Sequence, residues 1–366
     1  MGLSRRAFVT QVGCTGGYTA ALATMQSLGV MTMKGQAPQQ ISASPGNPSA
    51  VGRFQLQLSP TVKPSDTSTS IVIHPDPSKQ IVCGKVPLTT YDNVVYSTPN
   101  AAKGGRSLRM DILVSKTPGR KPLVVYAAGG GFVMANKESD LMLRTYVAEA
   151  GFVVASIEYR TVRDGATYRE GVADMKSAIR FLRSTAEQYS IDPDDVGVWG
   201  QSAGGYIVAM VGVTNNDKAF DVGDHLDQSS SVKAVVDKFG PSDVSKVDAD
   251  YNGAQNAPAR RALYVNGFLP DGGLRDPVSS PINHIAPSDV AFLIFHGSHD
   301  GLVSPSQTLI FHNALLAAGV NSKRYVLEGA NHGDLTVLGD KVAGLPWSSM
   351  QTMDLIVDFF RTSLAF

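Results

Sequence analysis

Val196-Gly197-Val198-Trp199-Gly200-Gln201-Ser202-Ala203-Gly204-Gly205 runs from an apolar, strand-like segment through G-x-S-x-G into a helix-forming one. A serine hydroxyl is a poor nucleophile. It becomes useful where a tight strand-to-helix turn presents it to a base, and Gly200 and Gly204 relieve the backbone crowding of such a turn. Alone, the pattern also fits a flexible glycine loop. What decides between the two is the order of residues downstream. Asp300 stands in Phe295-His296-Gly297-Ser298-His299-Asp300-Gly301, and His332 in Gly329-Ala330-Asn331-His332-Gly333, each just past an apolar run. In that order Ser202 is the expected nucleophile, His332 its base and Asp300 the group that orients the imidazole.

The rhythm of the chain around these residues predicts an α/β fold. Leu123 to Tyr126 and Phe152 to Ile157 are apolar runs without alternation, as strands buried on both faces require. Asp140 to Ala150 can form a helix between them. Val172, Met175, Ile179, Leu182 and Ala186 mark one face of a long helix that stops before Ile191-Asp192-Pro193. Further strands are expected at Val232 to Phe239, Val290 to Phe295 and Tyr325 to Leu327, with helices at Ser306 to Ala318 and Met350 to Phe360. Such alternation builds a mostly parallel sheet with helices on both faces, and it puts Ser202, Asp300 and His332 beyond strand C-terminal ends. Earlier segments, Ser70 to His74, Asp92 to Tyr96 and Leu108 to Val114, read as an antiparallel edge. Asp243 to Asn283, with its Gly, Pro and Asn content, reads as a short irregular cap over a comparatively open site.

Acyl transfer also needs donors for an oxyanion. Ala127-Ala128-Gly129-Gly130-Gly131-Phe132 follows an early strand, and its glycines let backbone N–H groups face the site. The expected donors are Gly130, Gly131 and Ala203, with Phe132 as a candidate lining of the acyl pocket. A phosphate-binding loop is disfavoured, since neither G-x-G-x-x-G nor a G-K-[ST] ending is present. His296 and His299 beside Asp300 raise the question of a metal, but no further ligands are evident, so no metal and no cofactor is expected. Lys+Arg and Asp+Glu balance at 32 each, which argues against capture of nucleic acid or anionic lipid. Arg160 and Asp174 read as a structural ion pair.

These motifs resemble an α/β-hydrolase of the hormone-sensitive-lipase and feruloyl/acetyl-esterase (BD-FAE-like) kind, in which the nucleophile sits in G-x-S-A-G-G. The resemblance spans roughly residues 90–362 and includes Glu158-Tyr159-Arg160, Asp174 to Leu182, Ile191-Asp192-Pro193 and Phe239-Gly240-Pro241-Ser242-Asp243. It implies a Ser-Asp-His carboxylic-ester hydrolase. One departure is Ala128-Gly129-Gly130-Gly131 where the family has H-G-G-G, which removes a side chain that helps fix the loop but leaves its N–H donors. The expected substrates are short-chain or aromatic acyl esters, including esters on carbohydrate carriers. A lipase or polyester depolymerase, and a serine peptidase on the same fold, remain alternatives.

Residues 1–37 read as a twin-arginine export signal: Ser4-Arg5-Arg6-Ala7-Phe8-Val9 precedes a mildly apolar stretch without acids, too broken by Gly13, Gly16, Gly17 and Gln26 for a membrane anchor. Residues 38–70, rich in Pro, Ser, Thr and Gln, read as a linker, and 71–366 as the hydrolase domain. Cys14 and Cys83 are the two cysteines, and removal of the signal would leave no internal disulfide. The twin-arginine machinery is thus an expected partner, and the periplasm or the medium the expected location. Changing Arg5 and Arg6 to Lys is expected to hold a longer precursor in the cytoplasm, as read by cell fractionation; unchanged export refutes that route.

Overall fold

Strands buried on both faces need apolar side chains at consecutive positions, and the middle of this chain supplies them. A computed structural model describes residues 62–100, 105–215, 217–247, 249–251, 277–333, 342 and 344–364. Its strands are β1 (Ile71–Ile73), β2 (Leu88–Ser97), β3 (Leu108–Ser115), β4 (Lys121–Ala127), β5 (Val153–Ile157), β6 (Ile191–Gln201), β7 (Ala234–Lys238), β8 (Ala291–Gly297) and β9 (Ser322–Leu327). They form one sheet in the order β1-β9-β8-β7-β6-β4-β5-β3-β2. β4 through β9 pair in parallel, while β3 runs antiparallel to both β5 and β2.

Alternate residues of each central strand feed two separate cores. Leu123, Val125, Val198, Val235, Phe292 and Ile294 face one side. Val124, Tyr126, Trp199, Val236, Leu293 and Phe295 face the other. The first side is covered by α2 (Tyr168–Ser184), α3 (Ala203–Val213) and α4 (Ser306–Ala317), the second by α1 (Leu141–Glu149) and α5 (Met350–Ser363). This mostly parallel sheet with helices on both faces is what the rhythm of the sequence predicts, and it is the α/β-hydrolase architecture that the resemblance implies.

Helix starts follow local chemistry. The Thr167 side chain accepts from the first turn of α2 while Glu170 reaches back to the Thr167 N–H, a reciprocal cap, and the Ser349 hydroxyl accepts from Thr352 N–H at the start of α5. α3 is different, because Ala203 through Gly212 are all buried. A helix apolar all round belongs inside the molecule, and α3 packs against the sheet on one side and α2 on another.

Two expectations need correction. Ile71–Ile73 does not join an antiparallel edge with β2 and β3; it pairs in parallel with Tyr325–Leu327 of β9, at the opposite edge of the sheet. A three-residue strand carries no mark of its partner in its own sequence. Residues 62–70, which composition assigns to the linker, dock onto the domain instead. Lys63 N–H donates to the Asp250 carbonyl at 2.7 Å, buried Arg324 donates to Ser70 Oγ at 2.7 Å, and the His312 ring lies 3.0 Å from the Thr69 carbonyl. Hydrogen bonds, not apolar burial, hold this segment, so hydropathy does not reveal it. The export signal, the rest of the linker and residues 252–276 of the expected cap lie outside the described residues.

Arg160, just after β5, grips Asp174 of α2. Nη2 lies 2.7 Å from Oδ1, and the Arg160 backbone N–H donates to Oδ2 at 2.8 Å. The carboxylate is buried, so losing it strands a guanidinium in a poorly solvated place. Asp174→Ala is expected to cost about 3 kcal/mol in urea denaturation; a loss under about 1 kcal/mol would mean the pair is solvated and weak.

Candidate active site

The end of β6 positions the serine. Ser202 has φ 55° and ψ −120°, a backbone state that non-glycine residues rarely adopt. Its N–H is tied to the Lys238 carbonyl at 2.9 Å, and its own carbonyl accepts from Tyr206 N–H at 3.0 Å in the first turn of α3. The turn is possible because three neighbours lack a Cβ. At Gly200 a Cβ would collide with the Gly204 carbonyl, at Gly204 with the Ala127 carbonyl, and at Gly205 with Asp237 Oδ1. Beneath the turn, Gln201 Nε2 donates to Asp140 Oδ2 at 2.7 Å, and Tyr126 hydroxyl donates to the same oxygen at 2.6 Å.

β8 and β9 bring the other two residues. Ser202 Oγ lies 2.9 Å from His332 Nε2, and His332 Nδ1 lies 2.7 Å from Asp300 Oδ2. A carboxylate only accepts, so Nδ1 carries the proton and Nε2 presents its lone pair to the serine hydroxyl. Asn331 Oδ1 accepts from the backbone N–H of both His332 and Gly301, at 2.8 and 3.0 Å, which locks the two loops together. The Phe239 ring packs 4.5 Å from the imidazole, centroid to centroid.

Asp300 is fully buried. Its Oδ1 accepts from the Leu302 and Val303 N–H groups at 2.8 and 2.9 Å. Burial pushes the carboxyl up, but the charge of His332 and the hydrogen bonds from His296 and His332 outweigh it and hold the group well below the usual carboxylate range. A buried acid kept ionised in this way can stabilise an imidazolium beside it.

The glycine loop abuts the elbow. A Cβ on Gly129 would lie 3.0 Å from the Gln201 carbonyl and 3.1 Å from Ser202 Cβ. Gly130 carbonyl accepts from Val133 and Met134 N–H, closing a turn in which Gly131 and Phe132 both have positive φ, 59° and 61°. Ala203 opens α3, where first-turn N–H groups point outward from the helix. The Phe132 ring is buried edge-on against Tyr206 at 5.3 Å. Tyr159 hydroxyl donates to the Ala128 carbonyl at 2.8 Å, anchoring the loop at the residue where the resemblance expects a histidine.

Sequence reasoning gave no role to Tyr159, Asp140 and Asn331, although Tyr159 and Asn331 stand inside the quoted stretches Glu158-Tyr159-Arg160 and Gly329-Ala330-Asn331-His332-Gly333. It read His296 as strand-end packing, whereas the ring reaches Asp300 Oδ2 at 3.1 Å. His299 turns instead to Ser298 at the surface. Among the described residues no group of three or more His, Cys, Asp or Glu side chains could hold a metal ion.

A BD-FAE family model matches residues 110–315, over half of the chain. The chain belongs to the BD-FAE family. A prolyl oligopeptidase family model matches residues 274–364, a span that includes Asp300 and His332 but not Ser202. The BD-FAE chain is 27% identical over 238 residues to isoprenylcysteine alpha-carbonyl methylesterase ICME of Arabidopsis thaliana, covering 62% of this chain and 54% of that protein. It is 26% identical over 239 residues to esterase LipQ of Mycobacterium tuberculosis, covering 63% and 55%. It therefore spans about half the length of these curated relatives. Among solved structures, a truncated carbohydrate esterase from gut microbiota aligns with TM-score 0.64 at 25% identity, covering 79% of this chain and 100% of that one. An esterase of Thermogutta terrifontis aligns with TM-score 0.58 at 22% identity, covering 76% and 94%, a likeness of fold.

Asp237 of β7 lies under the elbow beside Gly205. It is fully buried, its Oδ1 accepts from Gly240 N–H at 2.9 Å, and its Oδ2 has no hydrogen-bond partner among the described residues. Burial pushes its carboxyl up to about 7, against that one hydrogen bond. An acid whose folded value is raised binds its proton in the native state first, so it favours folding below its unfolded value and this contribution is lost as pH rises from about 4 to 7. Asp237→Asn is therefore expected to gain stability over the wild type between pH 4 and pH 8, by about 2 kcal/mol or more, in urea denaturation at both pH values. An equal difference at the two pH values would refute an ionisation at Asp237.

Proposed function

We propose that this chain is a serine carboxylic-ester hydrolase for short-chain or aromatic acyl esters, including those carried on carbohydrate. The observation that carries the reading is the unbroken hydrogen-bonded line from Ser202 Oγ through the His332 imidazole to Asp300 Oδ2. Ser202 Oγ attacks the ester carbonyl as its proton passes to His332 Nε2, and Asp300 stabilises the imidazolium. The N–H groups of Gly130, Gly131 and Ala203 take the oxyanion. His332 then returns the proton to the departing alkoxide, which leaves as the alcohol. Water, deprotonated by the same imidazole, adds to the acyl-enzyme, and collapse of the second tetrahedral species frees the carboxylic acid and Ser202. No other chemistry is required of the protein.

Family membership supports ester hydrolysis, as do the esterase names of the relatives. The carbohydrate carrier is favoured by the likeness to the truncated form of a carbohydrate esterase. Phe132, beside the oxyanion loop, is assigned to the wall of the acyl pocket.

Ser202→Ala is expected to lower kcat on a soluble acetyl ester by roughly 10³-fold or more with folding intact, because one oxygen is removed at the elbow. Across acetate, butyrate, octanoate and palmitate esters, kcat/KM is expected to stop rising after the short acyl groups. A deep acyl tunnel would add about 0.8 kcal/mol per methylene, so a steady rise to palmitate makes the protein a lipase. Faster cleavage of amide than of ester substrates would make it a peptidase.

A further inference from the structure

Asp300 Oδ2 does not serve His332 alone. His296, at the end of β8, puts its Nε2 3.1 Å from the same oxygen and 3.0 Å from the Val303 carbonyl. Both neighbours are acceptors, so Nε2 must carry the ring proton. Nδ1 lies 2.8 Å from Thr308 Oγ1, an oxygen that accepts from Arg324 Nε at 2.9 Å and whose hydroxyl proton also faces the Pro305 carbonyl at 3.4 Å. Arg324 is itself held by Ser70 Oγ and the Pro305 carbonyl. A line of hydrogen bonds thus runs from a buried guanidinium through Thr308 to His296, whose Nε2 stands 3.1 Å from the far side of the carboxylate.

We infer that His296 is a positioning residue that donates a second hydrogen bond to Asp300 Oδ2 and so sets how strongly Asp300 holds the His332 imidazolium. The inference rests on the triad reading given above. A carboxylate oxygen that accepts two N–H donors shares its charge between them, and each bond is weaker than it would be alone. His332 is then held in orientation, yet it releases its proton readily enough to serve as a base. Among the described residues the ionisable and charged groups facing this contact are Asp300 itself, His332 from the loop after β9, and Arg324 of β9 acting through Thr308 of α4. From β7 the neighbour is the uncharged ring of Phe239, 6.4 Å from His296, with the Lys238 ammonium beyond it over Phe239 and Trp347. His299, three residues on, pairs with Ser298 at the surface.

The test measures the rate at which a fluorophosphonate labels Ser202 as a function of pH, with kcat and KM on an acetyl ester alongside. The probe needs only an activated serine, so it reads the triad whatever ester the protein takes. With the second donor gone, His296→Phe leaves Asp300 to bind the imidazolium more tightly. The acid limb is expected to move up by about one pH unit, which lowers labelling rate and kcat by up to about tenfold on the acid side of the limb and by less at neutral pH, with KM within twofold. His296→Gln, whose side-chain amide can donate from a similar place, is expected to return most of the rate and the limb position. Thr308→Val, which loosens the ring without removing it, is expected to give a smaller shift in the same direction.

If His296→Phe fails to fold, as a thermal melt would reveal, the Gln and Val variants decide. A folded His296→Phe with its acid limb unmoved overturns the inference, as does equal impairment of the Phe and Gln variants. If the unmodified protein does not label at Ser202, the triad reading falls and the inference with it; labelling with an unmoved limb in every variant overturns the inference alone.

Discussion

A serine held at φ 55° and ψ −120° occupies a conformation that costs roughly 1–3 kcal/mol, and the end of β6 is built to keep it there. β6 lies between β4 and β7 near the middle of the sheet, so its last residues cannot relax sideways. The backbone is pinned on one side by the Lys238 carbonyl and runs on into a helix buried on every face. Gly200, Gly204 and Gly205 are needed because the chain folds back on Ala127 and Asp237 with no room for a Cβ. The strain is paid for by the packing of two cores, which is why a hydroxyl can be held at the rim of an otherwise ordinary sheet.

Two buried aspartates near this turn have opposite fates. Asp300 receives donors at both oxygens, two backbone N–H groups on one and two imidazoles on the other, and stays ionised well below the usual range. Asp237 receives a single N–H, and burial lifts it instead. Both are fully buried, so the direction is decided by the charge of His332 beside Asp300 and by the donors that reach each carboxylate. The same logic accounts for the glycine loop. Ala128 has no polar side chain, but its carbonyl is held by Tyr159 from just past the neighbouring end of β5.

Much of the sheet was legible because buried strands and amphipathic helices write their periods into the sequence. The apolar runs at β4, β5 and β8 and the three-and-four spacing along α2 correspond to observed elements within a few residues. What escaped was short or polar. Ile71–Ile73 has too few residues to declare whether it joins β2 or β9, and the stretch 62–70 is tethered by hydrogen bonds with Arg324, His312 and Asn313 rather than by apolar burial.

The sequence by itself determined the α/β alternation and the strand-to-helix turn at Ser202, and it singled out Asp300 and His332 as the residues expected beside it, since each stands in a short motif after a strand and strand ends converge on one rim of such a sheet. Tertiary structure alone decided that His296 and His332 share one oxygen of Asp300, that Asn331 ties their loops, and that Asp140 and Tyr126 support Gln201. Periodicity is a property of neighbours along the chain, so it can be read locally. A hydrogen bond between residues that meet across the sheet depends on where two elements come to rest, and neither segment records its partner.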